Sequence, residues 1–325
     1  MIHPPHPPST PTDLPAHWRR RPAVRIAAAL CVLGVLAAAA LVPGWAATHT
    51  TPAPEGSRWP ITSPARTSTA PCEIPAPLTA AELRALAART SATPPTALPA
   101  PRPADHVLPQ VAAEAHCDVP GRFSFVLIRQ WAADTRIDAG RATSTVVVFE
   151  QRHWRADNAS GRAISLRHPP GPQPTTDETY QPGTLDGTIG PIAVDTTGLT
   201  AQISSISPPF LGAPAVLRAI ASLTSWRTPN QDARTAILTL LSNTNGLTYH
   251  PAVRDRAGRT GAGVSATSDD GTTRSLLILH PSTGEVLAYE RAHFTPSQRG
   301  HPRTGNVEDY LLFTTHTRKS TTNTP

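Results

Sequence analysis

The chain has 325 residues, of which 37 are proline and 16% are charged, and a formal charge of +6. Seven prolines precede residue 23 and thirteen more lie between Thr48 and Pro109; because proline fixes φ and lacks an amide donor, these stretches favour extended backbone. That excludes a large folded domain from the first third and leaves Leu108 to Phe313 as the segment long enough for a substantial core.

The positive charge does not mark a nucleic-acid surface. Arg19, Arg20, Arg21 and Arg25 against Asp13 give the first 25 residues +3, and 25 basic against 22 acidic residues give the rest another +3. No basic cluster interleaved with aromatic residues occurs, so nucleic acid is not an expected partner. A single lysine, Lys319, stands beside 28 arginines, which reads as the codon usage of a G+C-rich genome.

Residues 1–25 are predicted to be a disordered Pro/Arg-rich cytoplasmic tail. The uncharged run IAAALCVLGVLAAAALVPGWAA, residues 26–47, spans roughly 33 Å as a helix and matches a bilayer core. The arginines lie only before it, which keeps the N-terminus in the cytoplasm, and Trp18 and Trp45 fall near the two interfaces. No polar face interrupts the run, as a buried core helix would show. A cleaved signal peptide is the competing reading, resting on Gly44, Ala46 and nine alanines. Against it, the n-region is about 25 residues long and the apolar run exceeds a usual h-region. Leu30 before Cys31 excludes a lipoprotein signal, and Arg19-Arg20 lacks the surroundings of a twin-arginine signal. The expectation is an uncleaved signal anchor in the cell membrane, with residues 26–47 in the lipid bilayer and the C-terminal part extracytoplasmic.

Residues 48–78 read as a Pro/Thr-rich stalk that spans up to roughly 90 Å if fully extended. Thr79-Ala80-Ala81-Glu82 forms a capping box opening a short helix to about Arg89, and Pro94 to Pro109 adds a second proline-rich connection, so that 79–121 leads into the main domain. That domain, 122–315, opens with an alternating strand at Arg122–Trp131, a β-branched strand from Thr143 continuing to Trp154, a turn at Asn158–Gly161 and a strand at Arg162–Arg167. His168 to Gly187 is polar and proline-rich and reads as a long loop.

A helical pair follows. Val216, Leu217, Ile220 and Leu223 recur at helical spacing, and Thr228-Pro229-Asn230-Gln231 starts a second helix with Thr228 as its cap. Its apolar stripe is Ala233, Ile237, Leu240 and Leu241, which places Asp232 and Arg234 on the wet side. Strands are predicted at Leu247–Arg254, Thr260–Thr267, Thr272–His280 and Glu285–Phe294, joined by turns at Ala257-Gly258, Asp269-Asp270-Gly271 and Ser282-Thr283-Gly284. Tyr310–Thr314 adds an edge strand, and 316–325 reads as a disordered tail. Strands, then helices, then hairpin-linked strands predict an α+β fold: an antiparallel β-sheet with a helical pair packed on it.

HWRADNASGR (153–162), the helices from Val216 to Asn243, DRAGRTGAG (255–263) and LILHPSTGEVLAYE (277–290) resemble an uncharacterised family of actinobacterial single-pass membrane proteins. Its genes often neighbour those of extracytoplasmic-function sigma factors. The resemblance covers about 122–294 and implies a curved sheet with helices on one face, similar in outline to envelope lipid-carrier and sigma-regulator domains of the LolA/RseB type. It carries no catalytic residues. The short proline-rich cytoplasmic tail departs from the longer helical segment of such relatives and is a poor sigma-factor binder.

Cys31 lies in the apolar run, whereas Cys72 and Cys117 fall outside the membrane, where disulfides persist; a Cys72–Cys117 bridge is expected. Closing a loop of about 45 residues contributes on the order of 4 kcal/mol in the chain-entropy model. Thirteen histidines include no H-E-x-x-H and no pair four apart on a predicted helix. His153, His168, His250, His280 and His293 read as isolated strand-end or surface residues, so no metal ligands are assigned. No G-x-S-x-G elbow occurs, and the single lysine excludes a Walker A loop and an S-x-x-K motif. Asp269 and Asp270 read as turn residues, and Asn158-Ala159-Ser160 as a turn rather than a glycan site. No catalytic residue and no cofactor are expected.

Two functional classes remain: a non-enzymatic interaction or sensing module contacting an envelope protein, and a binder or carrier of an apolar ligand such as a lipid. A continuous apolar cavity between the sheet and the Val216–Leu241 helices would favour the carrier, and a filled core the module. An enzyme without a recognisable motif is the third reading. The topology has a direct check. A reporter fused after Pro325 is expected to be exported, and the protein to stay in the membrane fraction after carbonate washing; a C-terminal reporter active in the cytoplasm would contradict the anchor.

Overall fold

The computed structural model describes residues 81, 95–108, 120–138, 141–168, 176–185, 190–208, 211–294 and 305–323. The chain divides into two units, Met1–Arg66 and Thr67–Pro325, and everything described belongs to the second. The expected anchor at 26–47, the stalk, Cys72 and Cys117 lie outside the described residues, as does the capping-box helix apart from Ala81. Among the described residues no helix is long and apolar enough to cross a membrane.

The domain is α+β and is built on one nine-stranded antiparallel sheet. β1 (Phe123–Asp138), β2 (Arg141–Ala156), β3 (Gly161–His168) and β4 (Thr176–Tyr180) form one meander. Helices α2 (Thr196–Ile206), α3 (Gly212–Thr224) and α4 (Gln231–Ser242) follow; a single earlier turn, α1, spans Ala104–Val107. β5 (Thr248–Arg254), β6 (Thr260–Thr267), β7 (Thr273–Leu279), β8 (Val286–Phe294) and β9 (Gly305–Lys319) form a second meander. The order is β4-β3-β2-β1-β9-β8-β7-β6-β5. The first and last strands therefore pair at the centre, and the helices carry the chain from one outer edge to the other, roughly 38 Å in a flat sheet.

Each face of the sheet buries its own layer. On one face Val126, Ile128, Val264, Leu277, Leu279, Tyr289 and Phe313 pack with Leu217, Ile220, Leu223, Ile237 and Leu241 of α3 and α4. The opposite face carries Trp131, Val148, Leu276, Ile278, Tyr310 and Leu312. This second layer is covered by the β5–β6 turn: the Arg256 guanidinium lies 4.1 Å from the Tyr310 ring centre and 5.0 Å from that of Trp131, and the Arg256 amide donates to Tyr310 Oη at 3.0 Å. β6 and β1 stand four strands apart, roughly 19 Å in a flat sheet, so a turn that reaches Trp131 requires the sheet to roll toward this face.

Residues 95–108 belong to the domain. Thr96 is clipped to Glu290, which is 1% exposed: the carboxylate accepts from the Thr96 amide and hydroxyl (3.1 and 2.6 Å) and from Arg274 Nη2 (2.8 Å). The segment then crosses the β5 edge through an Arg102–Tyr249 bridge, and Val107 and Leu108 enter the helix-side core. Packing thus begins before residue 122, where the proline count had placed only a connection.

Several expectations are corrected. His168 to Gly187 is not all loop, since β4 runs along the sheet edge. Its TDETY sequence has no apolar alternation to betray it and is held by Arg162 Nε and Nη2 on both Asp177 oxygens (2.8 and 2.7 Å). α2 makes the helices three rather than two; it is capped by Asp195 accepting from the Gly198 amide at 2.8 Å, and it buries only Leu199 and Ile203. Tyr310–Thr314 is part of the central β9, which continues through Lys319 into the expected disordered tail. The cap of α4 is Asn230, accepting from the Ala233 amide at 2.9 Å, and not Thr228.

Of the two residues expected on the wet side of α4, Asp232 is exposed but Arg234 is only 4% exposed, and Leu240 of the apolar stripe is only half-buried. α2 packs on α4 as well, so the buried arc widens to include Arg234 and Leu238. Arg234 satisfies one guanidinium nitrogen on the Pro229 carbonyl at 2.9 Å. Ile237→Ala is expected to cost about 2–5 kcal/mol and Arg234→Ala about 1.5–3 kcal/mol, the range of a hydrogen bond from a charged group. The exposed Thr235→Ala should stay within about 0.5 kcal/mol. Urea unfolding of the domain checks all three; an Arg234→Ala as mild as Thr235→Ala would contradict this packing.

Candidate functional site

The two meanders are offset along the strand direction, which leaves a fork at the start of β8. The β8–β9 ladder begins at Ala288↔Leu312, while β9 runs on to Lys319 paired, among the described residues, with β1 alone. Arg259 sits in the fork: Nη2 donates to the carbonyls of Leu287 (3.0 Å) on β8 and Phe313 (2.9 Å) on β9. The guanidinium is aimed by Asp255, which accepts from Arg259 Nε at 2.7 Å and, through its other oxygen, from the Ala257 and Arg259 amides at 2.9 Å. A five-residue turn thus supplies a cation where two strands part.

Below Arg259 opens a cavity of about 210 Å³, lined among others by Glu285, Thr315, His316, Thr317 and Lys319. Burial pushes the Glu285 carboxyl up, opposed by the charges of Arg234 and Arg259 and by the Thr283 hydroxyl. His316 is 8% exposed; its Nε2 meets the Thr224 carbonyl at 3.1 Å and its ring stacks on Phe313. Burial lowers it to about 4, the Thr224 bond opposing and Arg259 and Arg234 lowering it further. Nearby, Thr228 Oγ1 lies 2.9 Å from the Thr317 carbonyl oxygen and 3.4 Å from that of Phe125.

The histidines expected at strand ends or surfaces are partly internal. His153 is buried, stacked on Trp226 at 3.8 Å, with Nδ1 2.7 Å from the Ser225 carbonyl; burial lowers it to about 4 against that bond. His250 joins Pro99 O (2.8 Å) to Ser265 Oγ (3.0 Å). A serine hydroxyl on a histidine nitrogen is the geometry of a nucleophile and its base. Here both side chains are buried beneath the 95–102 strap, so the pair fastens the strap to β5 and β6. Sequence spacing could not find these partners, because each lies in a different segment of the fold.

Among the described residues, no group of three His, Cys, Asp or Glu side chains is placed to hold a metal ion. Asp270 is a turn residue, its carboxylate accepting from Ser268 Oγ and from the Thr272 amide and hydroxyl, which hold it down at about 2. Asn158 accepts from the Ser160 amide and hydroxyl in the β2–β3 turn. The fork brings together backbone carbonyls, the Arg259 cation, the Glu285 carboxyl and threonine hydroxyls beside Val286, Leu287 and Phe313. Comparison of the chain with protein-family models, with curated proteins and with solved structures finds no match in any of the three.

The two neutral histidines make the domain acid-sensitive. Their folded values lie below the ordinary value near 6.5, so the unfolded chain takes up protons that the folded one refuses. Their contribution is whole above about pH 6.5 and falls as pH drops toward about 4, by up to roughly 3 kcal/mol each. His153→Asn with His316→Gln keeps the nitrogen that meets each carbonyl and removes the titration. Urea midpoints at pH 7 and pH 4.5 are expected to fall further for the wild type than for the double variant; parallel profiles would contradict the assignment.

Proposed function

We propose that this protein is a membrane-anchored, extracytoplasmic interaction or sensing module of the bacterial envelope, without enzymatic activity. The apolar run at 26–47 and the arginines before it support the anchor and its direction. The motifs at 153–162, 255–263 and 277–290 support membership of the actinobacterial family they resemble, and the rolled sheet with helices on one face is in keeping with a LolA/RseB-like outline. A Cys72–Cys117 bridge belongs to the same reading.

The observation that carries the choice of a module over a lipid carrier is the filled space between helices and sheet. Leu217, Ile220, Leu223, Leu241, Val264, Leu277 and Leu279 each retain no accessible surface. A side chain lining a water-sized void would retain some, and an acyl chain needs more room than water. These residues form the floor and roof of the space a carrier would have to leave open. The cavity at the β8–β9 fork lies apart from that packed space, and its lining mixes Val286, Leu287 and Phe313 with threonines and the charged Arg259, Glu285 and Lys319.

Crosslinking of the intact protein in its native membrane, followed by mass spectrometry of both bound proteins and bound lipids, tests this. A protein crosslinked to the domain, with no stoichiometric lipid, is the expected outcome. A lipid held by the domain at one copy per chain, without a protein, would overturn the module in favour of the carrier.

A further inference from the structure

A strand edge inside a sheet is rarely left open, because its unpaired amides and carbonyls invite another chain to pair. β9 has such an edge. Thr228 Oγ1 lies within reach of both the Thr317 and Phe125 carbonyls, so these two oxygens lie in the gap between β9 and β1. Antiparallel pairing alternates direction at each residue, which turns the amides and carbonyls of His316 and Arg318 the other way, toward the side that β8 has vacated. Among the described residues no strand pairs with β9 on that side beyond Leu312. The stretch from Thr314 to Lys319 spans roughly 20 Å at strand spacing, and the cavity at its head is open to solvent.

The chemistry around the edge is positive. Arg318 and Lys319 end the strand and the exposed Arg122 directly precedes the β1 residue paired with Lys319; Arg318 also donates from Nε to the Gly121 carbonyl at 3.0 Å and lies 3.9 Å from Asp157, and Arg259 at the head of the fork is paired with Asp255. Among the described residues that line the cavity, Glu285 is the one carboxylate. Thr315 and Thr317 are small enough to leave side-chain room beside the edge. A second copy of this chain is a poor occupant, since antiparallel pairing of two β9 edges sets Arg318 and Lys319 of one copy beside Thr315 and Thr314 of the other and gives the cations no counter-charge.

We propose that the outer edge of β9, from Thr314 to Lys319, is a docking edge that an extended acidic segment of a partner protein completes by strand addition. Main-chain bonds to His316 and Arg318 supply the pairing, and carboxylates on the incoming strand meet Arg318 and Arg122. The proposal rests on the reading of the domain as an interaction module and names the surface and the chemistry of its partner.

Three labelled peptides test it against the full chain in detergent: alternating valine and glutamate, alternating valine and lysine, and the glutamate peptide with alternate backbone nitrogens methylated. Fluorescence anisotropy reads affinity, and amide hydrogen exchange reads location. The glutamate peptide is expected to bind and to slow exchange at His316 and Arg318. The lysine and methylated peptides should bind about tenfold or more weakly, and Arg122→Glu, at an exposed position, should weaken the glutamate peptide by a similar factor at unchanged melting temperature. No binding, equal binding of the lysine or methylated peptide, protection confined to the outer strands β4 or β5, or a peptide-independent dimer through β9 would each overturn it. Failure here with a protein still crosslinked in the native membrane would remove the edge and leave the module. A lipid-only crosslink would instead remove the module itself.

Discussion

The ladder between β1 and β9 is the contact on which the domain depends. Ten residue pairs from Phe123↔Lys319 to Ala132↔Asp309 join strands that begin and end the domain. Each meander alone would expose a raw edge, β1 on one side and β9 on the other, and only their union makes a single sheet. The central position explains why Tyr310, Leu312 and Phe313 keep at most 1% of their surface although they alternate between faces. A contact this distant in sequence closes late and slowly, because its loop-closure entropy precedes its reward. The bulge between Leu127 and Ile128 absorbs the mismatch of the two meanders, with Thr314 Oγ1 donating to the Leu127 carbonyl at 3.0 Å.

Around that ladder, buried charges fix segments that hydrophobic packing alone would leave free. Glu150 holds Arg129 and Arg152, both at 2.7 Å, across β1 and β2. Glu290 holds the strap through Thr96 and Arg274, and Asp255 aims Arg259 into the fork. Buried ion pairs contribute little net stability once desolvation is counted. Their value here is positional: each one sets where a turn, a strap or a strand end lies. Losing either partner of the Asp255–Arg259 pair would strand the other charge and release the carbonyls of Leu287 and Phe313 together.

Much of this was legible in the sequence because period and turn chemistry are local. The strands at 248–254, 260–267, 273–279 and 286–294 agree with their expected spans to within a residue or two, since Gly258, Gly271 and Gly284 all adopt the positive φ that marks the turns between them. What was missed depends on tertiary context. TDETY became a strand because Gly161 to Ser165 offered it a partner. Arg234 became buried because α2, itself nearly without an apolar stripe, covers α4 from a second side. β9 was underestimated because its threonines, His316 and Arg318 look like a solvated tail, although a strand gripped by β1 needs no apolar alternation to be ordered. The fork and its edge were invisible for the same reason: an offset between two meanders is a property of register, and no single segment encodes it.

The central claim is that β9 closes the sheet from its middle. Native-state hydrogen exchange tests it most directly, because the slowest amides in a domain are those released only by global unfolding. The account predicts that amides of Phe125 to Ala132 and of Tyr310 to Phe313 that are bonded in the central ladders exchange slowest of all and at one common rate. Amides of β9 that exchange as fast as those of the outer strands β4 and β5 would contradict it.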